Sequence, residues 1–106
     1  MKKILFALSL ALSFVLSNIV LADTFYIDVR PPDEYKENNL EGTINIPHNQ
    51  ILSGISKHNI KKEDKIILFC RSGKRADIAL TNLKIAGYKD VTNIGGFEDA
   101  KTVLKK

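Results

Sequence analysis

The chain carries one cysteine, Cys70, placed where an apolar run, Ile66-Ile67-Leu68-Phe69, meets the basic loop Arg71-Ser72-Gly73-Lys74-Arg75. A continuous apolar run of this length reads as a strand buried on both faces, and the periodic segment after the loop reads as a helix. Cys70 therefore sits at a strand-to-helix junction, the place where open α/β sheets bind ligands. A free thiol has a pKa of about 8.5, whereas thiols at helix N-termini beside cations fall to about 3.5–7.5. A drop of about two units needs roughly 2.7 kcal/mol of differential stabilisation, and an exposed helix N-terminus supplies only about 0.3–1 kcal/mol. Arg71, Lys74 and Arg75, with the N–H groups of the loop, are expected to supply the rest.

Gly73 lets the loop curl so that successive N–H groups converge on one point, a nest suited to thiolate, persulfide or oxyanion. Arg75 offers a planar fork of donors to two oxygens of a tetrahedral anion, while Arg71 and Lys74 add charge at the rim. The candidate set is thus Cys70 as the reactive group, with Arg71, Ser72, Gly73, Lys74 and Arg75 as the cradle that binds substrate.

The elements that must position this loop alternate along the chain. Phe25 to Val29 reads as a first strand that Pro31-Pro32 ends, and Asp33 to Glu37 as a helical turn with its acids near the start. Thr43 to Ile46 is a short β-branched strand stopped by Pro47. Residues 49–57 read as a weak helix around Ile51, Leu52 and Ile55, and Asn59 to Asp64 as a polar turn. After the loop, Ala76, Ala79, Leu80, Leu83 and Ala86 mark a helix that Gly87 ends. Lys89 to Ile94 is a last strand, Gly95-Gly96 a tight turn and Phe97 to Leu104 a closing helix. Strand and helix in alternation with short connections predict an α/β fold, a small parallel sheet of four or five strands with helices on both faces.

The 106 residues allow one small domain, and their opening stretch is not expected to belong to it. Lys2 and Lys3 precede an apolar run from Ile4 to Leu16, and Val20-Leu21-Ala22 suits a signal peptidase. Residues 1–22 are read as a cleaved secretory signal and 23–106 as the mature domain. The apolar stretch is short for a membrane span of about 20 residues and is broken by Ser17-Asn18, so no membrane association is expected after cleavage. Removing Lys2 and Lys3 leaves fourteen basic residues against twelve acidic, a net charge of +2. The basic residues are scattered and lack interleaved aromatics, which argues against nucleic acid and for a small anion.

Export would place the chain in an oxidising compartment, the periplasm or its equivalent, where paired cysteines become disulfides. Cys70 has no partner in its own chain, and one cysteine with two distant histidines makes a poor metal site, so no metal is assigned. An inert thiol, an intermolecular bridge and a nucleophile remain; the flanking charges favour the nucleophile. Asp28 and Arg30 are read as a structural ion pair holding the turn after the first strand. His48 and His58 are read as solvated or locally bonded, because a pre-formed thiolate needs no base.

Cys70-Arg71-Ser72-Gly73-Lys74-Arg75-Ala76 resembles the active-site loop of the rhodanese family, a cysteine followed by x-x-Gly-x-Arg and a small residue. Ile27-Asp28-Val29-Arg30 with Pro32-Asp33-Glu34-Tyr35 resembles the family's amino-terminal signature, and Glu41 to Pro47 its second strand. Gly87-Tyr88 with Val91 to Phe97 resembles its Gly-Gly close. These segments cover nearly all of the expected mature chain. A signal followed by one minimal domain is similar to the family's periplasmic single-domain thiosulfate sulfurtransferases. Phe97 stands where many relatives carry tryptophan, and is read as core beneath the loop.

The resemblance implies that Cys70 takes the outer sulfur of thiosulfate, releases sulfite, holds a persulfide and passes the sulfur to cyanide or a thiol. It implies no organic cofactor. A persulfide carrier serving a protein sulfur acceptor is the alternative. Cysteine phosphatases and arsenate reductases are similar in cradling an oxyanion but space cysteine and arginine by five residues; here Arg75 comes one residue early and position 76 is Ala76.

Overall fold

The computed structural model describes residues 22–104. The expected signal, apart from Ala22, therefore lies outside the described residues. Nine elements follow in order: β1 (Thr24–Asp28), α1 (Pro32–Glu37), β2 (Thr43–Asn45), a 3-10 turn (His48–Gln50), α2 (Ile51–Lys57), β3 (Lys65–Phe69), α3 (Lys74–Ile85), β4 (Asp90–Asn93) and α4 (Phe97–Leu104). The four strands form one parallel sheet in the order β2-β1-β3-β4. This is the expected α/β architecture, with four strands among the described residues.

The strand order reverses between β1 and β3. The chain moves outward from β1 to β2, then crosses back to β3 and on to β4. Loops leaving β1 and β3 consequently diverge to opposite faces and leave a crevice at their carboxyl ends. Register places Asp28 beside Phe69, so Arg30 and Cys70, each just beyond its strand, come to that crevice together.

Alternation along β3 divides the core in two. Ile66 and Leu68 pack with Ile51 and Ile55 of α2 and with Ala76, Ala79 and Leu83 of α3. Phe69 points the other way, into a smaller cluster with Phe97 and Ala100 of α4 and with Leu40 and Ile94. The apolar run therefore has both faces covered, as a central parallel strand requires. α2 approaches the sheet closely because Gly54 faces Ile46, where a Cβ would collide with the Ile46 side chain.

The helix stops follow from local chemistry. Gly87, with φ +101°, lets its own N–H reach Lys84 O (3.1 Å) and the N–H of Tyr88 reach Leu83 O (3.0 Å), the paired bonds of a Schellman ending. Asn59 closes α2 the same way, at φ 57°, with Ile60 N donating to Ile55 O at 3.2 Å. That ending folds Ile60 inward, so the stretch read as a polar turn contains a core residue only 4 % exposed. Leu52 is 47 % exposed, since Ile51 and Ile55 share a helix face that the residue next to them does not.

Asp64, at the end of the same turn, is buried and accepts N–H groups from Lys61 (2.8 Å) and Asp23 (3.0 Å). The Lys61 N–H foremost, then that of Asp23, hold its carboxyl below the usual carboxylate range, against the opposing effect of desolvation. A depressed folded-state pKa means stability that is present above the unfolded value and lost as pH falls through the folded one. Asp64→Asn is expected to be less stable than the parent at neutral pH, with the difference shrinking as pH drops below about 4. Urea unfolding of both proteins across that range measures it; a constant difference at all pH values would contradict it.

Candidate active site

The loop after β3 is built by Gly73. Its φ of +97° is left-handed, and at this point the chain both ends the loop and begins α3. The turn aims the Gly73 N–H back at Cys70 Sγ, 2.9 Å away, while its carbonyl accepts the first helical bond from Asp77 N at 3.0 Å. Cys70 itself is 1 % exposed and contributes its side chain to the larger core cluster. The sulfur thus lies at the floor of the loop, against an amide donor at the N-terminal end of a twelve-residue helix.

The Gly95-Gly96 turn forms the other wall. Cys70 N donates to Gly95 O at 3.1 Å, and Ser72 pairs with Gly96 as an isolated antiparallel bridge. A Cβ on Gly96 would stand 2.5 Å from Arg71 O, so only glycine permits this approach. Two side chains that the sequence reading did not single out fix the turn. Asn93 donates to Gly73 O (2.9 Å) and Asp77 Oδ1 (3.1 Å) while its own oxygen receives Gly95 N (2.8 Å), tying three segments through one amide. Asp99 accepts Gly96 N at 2.8 Å. An acid three residues past the residue that opens a helix is half of a capping box, a signal that was available in Gly96-x-x-Asp99.

The cations of the loop are distributed unequally. Arg71, Ser72 and Lys74 are exposed around the rim. Arg75, expected to present its fork to an anion, instead directs Nη1 to Glu34 Oε2 of α1 at 3.4 Å, with its side chain 31 % exposed. It braces the start of α3 against α1. Arg71 and Lys74 form no ion pair among the described residues.

Asp28 and Arg30 form the expected bracket. Arg30 Nε and Nη2 bind both carboxylate oxygens of Asp28 at 2.7–3.0 Å, and Nη2 also donates to Asn38 O at 2.7 Å. The guanidinium lies over the Phe97 ring, 4.4 Å from its centre, so it is sandwiched between a carboxylate and an aromatic face. Phe97 is core, tilted against Phe69 with centroids 6.5 Å apart. His58 Nδ1 lies 2.9 Å from Gly54 O at the end of α2, a local bond well suited to its sequence position.

Comparison with known proteins agrees with this geometry. The model of the rhodanese-like domain family matches residues 16–102. Thiosulfate sulfurtransferase PspE of Escherichia coli is 36% identical over 90 residues, covering 85% of this chain and 86% of that protein. The chloroplastic thiosulfate sulfurtransferase 16 of Arabidopsis thaliana is 36% identical over 92 residues, 77% of each chain. A solved structure described as a rhodanese with anions from E. coli superposes with a TM-score of 0.67 at 33% identity, over 72% of this chain and 89% of that one.

The bracket at Arg30 predicts a large effect from a substitution that never touches the sulfur. Removing one partner leaves Asp28, fully buried, as an unpaired charge, which typically costs about 3–5 kcal/mol. Arg30→Met is expected to lose stability on that scale, and Asp28→Asn with Arg30→Met distinctly less than the single change. Denaturant titration of the three proteins checks this; equal losses would show that the unpaired charge is not the cause.

Proposed function

Since the chain belongs to the rhodanese-like domain family and is a thiosulfate sulfurtransferase, we propose that Cys70 is the atom carrier, taking sulfur from thiosulfate and holding it as a persulfide. The observation that supports this most is the Gly73 N–H at 2.9 Å from Cys70 Sγ, an oriented donor aimed at the sulfur from the start of a helix. Such a donor stabilises an anionic sulfur more than a neutral thiol and needs no reorganisation when charge appears.

In the first half-reaction Cys70 thiolate attacks the outer sulfur of thiosulfate. A sulfur–sulfur bond forms to Cys70, the original one breaks, and sulfite leaves with its electron pair. Arg71 and Lys74, exposed and without ion-pair partners among the described residues, draw in the dianion. Ser72 and Gly73 border the bound oxyanion and sulfur, and Arg75 acts chiefly by setting the start of α3 through Glu34 while adding its charge. In the second half-reaction cyanide or a thiol attacks the outer sulfur, and Cys70 leaves as thiolate. Burial of Cys70 keeps large oxidants away from the persulfide between the two steps.

Export to the periplasm, with cleavage after Ala22, completes the reading. Asp23 N already donates to Asp64 Oδ1 at 3.0 Å. Cleavage would make that nitrogen an ammonium and turn a neutral hydrogen bond into an ion pair, so the processed chain has a ready anchor for its new terminus.

Two outcomes are expected. Intact mass of protein recovered from the exported fraction gives a chain beginning at Asp23; a chain retaining residues 1–22 would refute the cleavage. Incubation with thiosulfate adds one sulfur atom to the parent, cyanide removes it, and Cys70→Ser never gains it. A persulfide on Cys70→Ser, or none on the parent, would refute the assignment of Cys70.

A further inference from the structure

A ring of four hydrogen bonds closes on the sulfur. Cys70 N donates to Gly95 O at 3.1 Å, and Gly95 N donates to Asn93 Oδ1 at 2.8 Å. Asn93 Nδ2 donates to Gly73 O at 2.9 Å, and Gly73 N returns to Cys70 Sγ at 2.9 Å. Each glycine is thus held at both of its backbone polar groups, which clamps the torsions between them, φ +97° at Gly73 and +104° at Gly95. An unrestrained glycine takes φ of either sign about equally, so such torsions need holding from outside. The glycines enter the ring by backbone, Asn93 by its side chain. Strand β4 delivers that side chain, since the register sets Asn93 beside Leu68, two residues before Cys70. The ring also fixes which way the amide points, because Gly95 N–H can only donate and the Gly73 carbonyl only accept. The second Nδ2 hydrogen meets Asp77 Oδ1 at 3.1 Å, so both donors of the amide are used.

We infer that Asn93 is a positioning residue for sulfur transfer: by closing the ring it keeps the Gly73 N–H on Cys70 Sγ through both half-reactions. This rests on the persulfide reading of Cys70. Attack on thiosulfate consumes the thiolate, and transfer to the acceptor regenerates it. A donor fixed on Sγ helps the first step by keeping more of the sulfur ionised and the second by easing its departure. The thiolate so held is a weaker nucleophile, yet nucleophilicity falls with a slope of only about 0.4–0.5, so the gain in thiolate outweighs the loss. Removing the Asn93 amide frees Gly73 O and Gly95 N together, and both glycines recover the torsional range that the ring denies them. Arg71 and Lys74 stay exposed at the rim whatever stands at position 93, so the capture of thiosulfate is left as it was. The effect of Asn93 therefore belongs to the rate of the chemical step and not to binding.

Single-turnover loading from thiosulfate, followed by mass at neutral pH, is compared in the parent, Asn93→Ala and Asn93→Thr. Threonine suits a strand end and guards against a variant that fails to fold, and it cannot span both glycines. Both variants are expected to load about fivefold more slowly at saturating thiosulfate, with the half-saturating concentration changed by less than about twofold. The Gly73 amide hydrogen is expected to exchange with solvent about tenfold faster in each, the size of one lost hydrogen bond. Asp64→Asn, at the opposite end of β3, loses stability without entering the ring and is expected to load at the parent rate. An equal slowing there would reduce the Asn93 effect to general stability and overturn the assignment. Parent rates in both Asn93 variants, unchanged exchange at Gly73, or a slowing that saturating thiosulfate abolishes would overturn it as well. Should the parent itself not load, the persulfide reading fails and exchange at Gly73 decides alone: faster exchange in the variants upholds the ring, and no change dismisses it.

Discussion

A single backbone torsion organises the Cys70 end of this molecule. Gly73 at φ +97° does three things at once: it ends the loop, starts α3 and points an N–H at the sulfur of Cys70. A side chain there would cost on the order of 1–2 kcal/mol in torsion alone, although a Cβ would find room, its nearest neighbour, Gly95 Cα, lying at an ordinary contact distance of 3.4 Å. The Gly95-Gly96 turn follows from Gly73. Because the Cys70 loop curls so tightly, the neighbouring turn must come within van der Waals range of the Arg71 carbonyl, and only Gly96 allows that.

Around this torsion the protein invests its polar side chains in holding loops still. Asn93 joins Gly73, Asp77 and Gly95; Asp99 holds Gly96; Asp28, Arg30 and Asn38 lock the loop after β1. None of these hydrogen bonds goes to the sulfur of Cys70. Their common effect is that the segments meeting at the crevice arrive with fixed relative positions, which is what a site made of backbone amides requires, since amides cannot adjust as side chains do. The exposed cations are the variable part. Arg71 and Lys74 form no ion pair among the described residues, whereas Arg75 is drawn to Glu34 and braces the scaffold.

Much of this was written in the chain itself. The apolar run at Ile66 to Phe69, the Gly87 stop, the Phe97 to Leu104 helix and the parallel α/β class are consequences of local pattern, because strand burial, helix periodicity and glycine torsions act over a few residues. The candidate loop was legible for the same reason, and so was the pairing of Asp28 with Arg30, two residues apart. Tertiary structure alone decided that Arg75 faces Glu34 forty-one positions earlier, that Asn93 bridges to Gly73, and that Ile60 and Asp64 turn inward from a polar stretch. Sequence specifies which groups are present and how each segment bends. Which group a long, charged side chain finally meets depends on how distant segments cross, and that is fixed only when the strand order brings β1 beside β3.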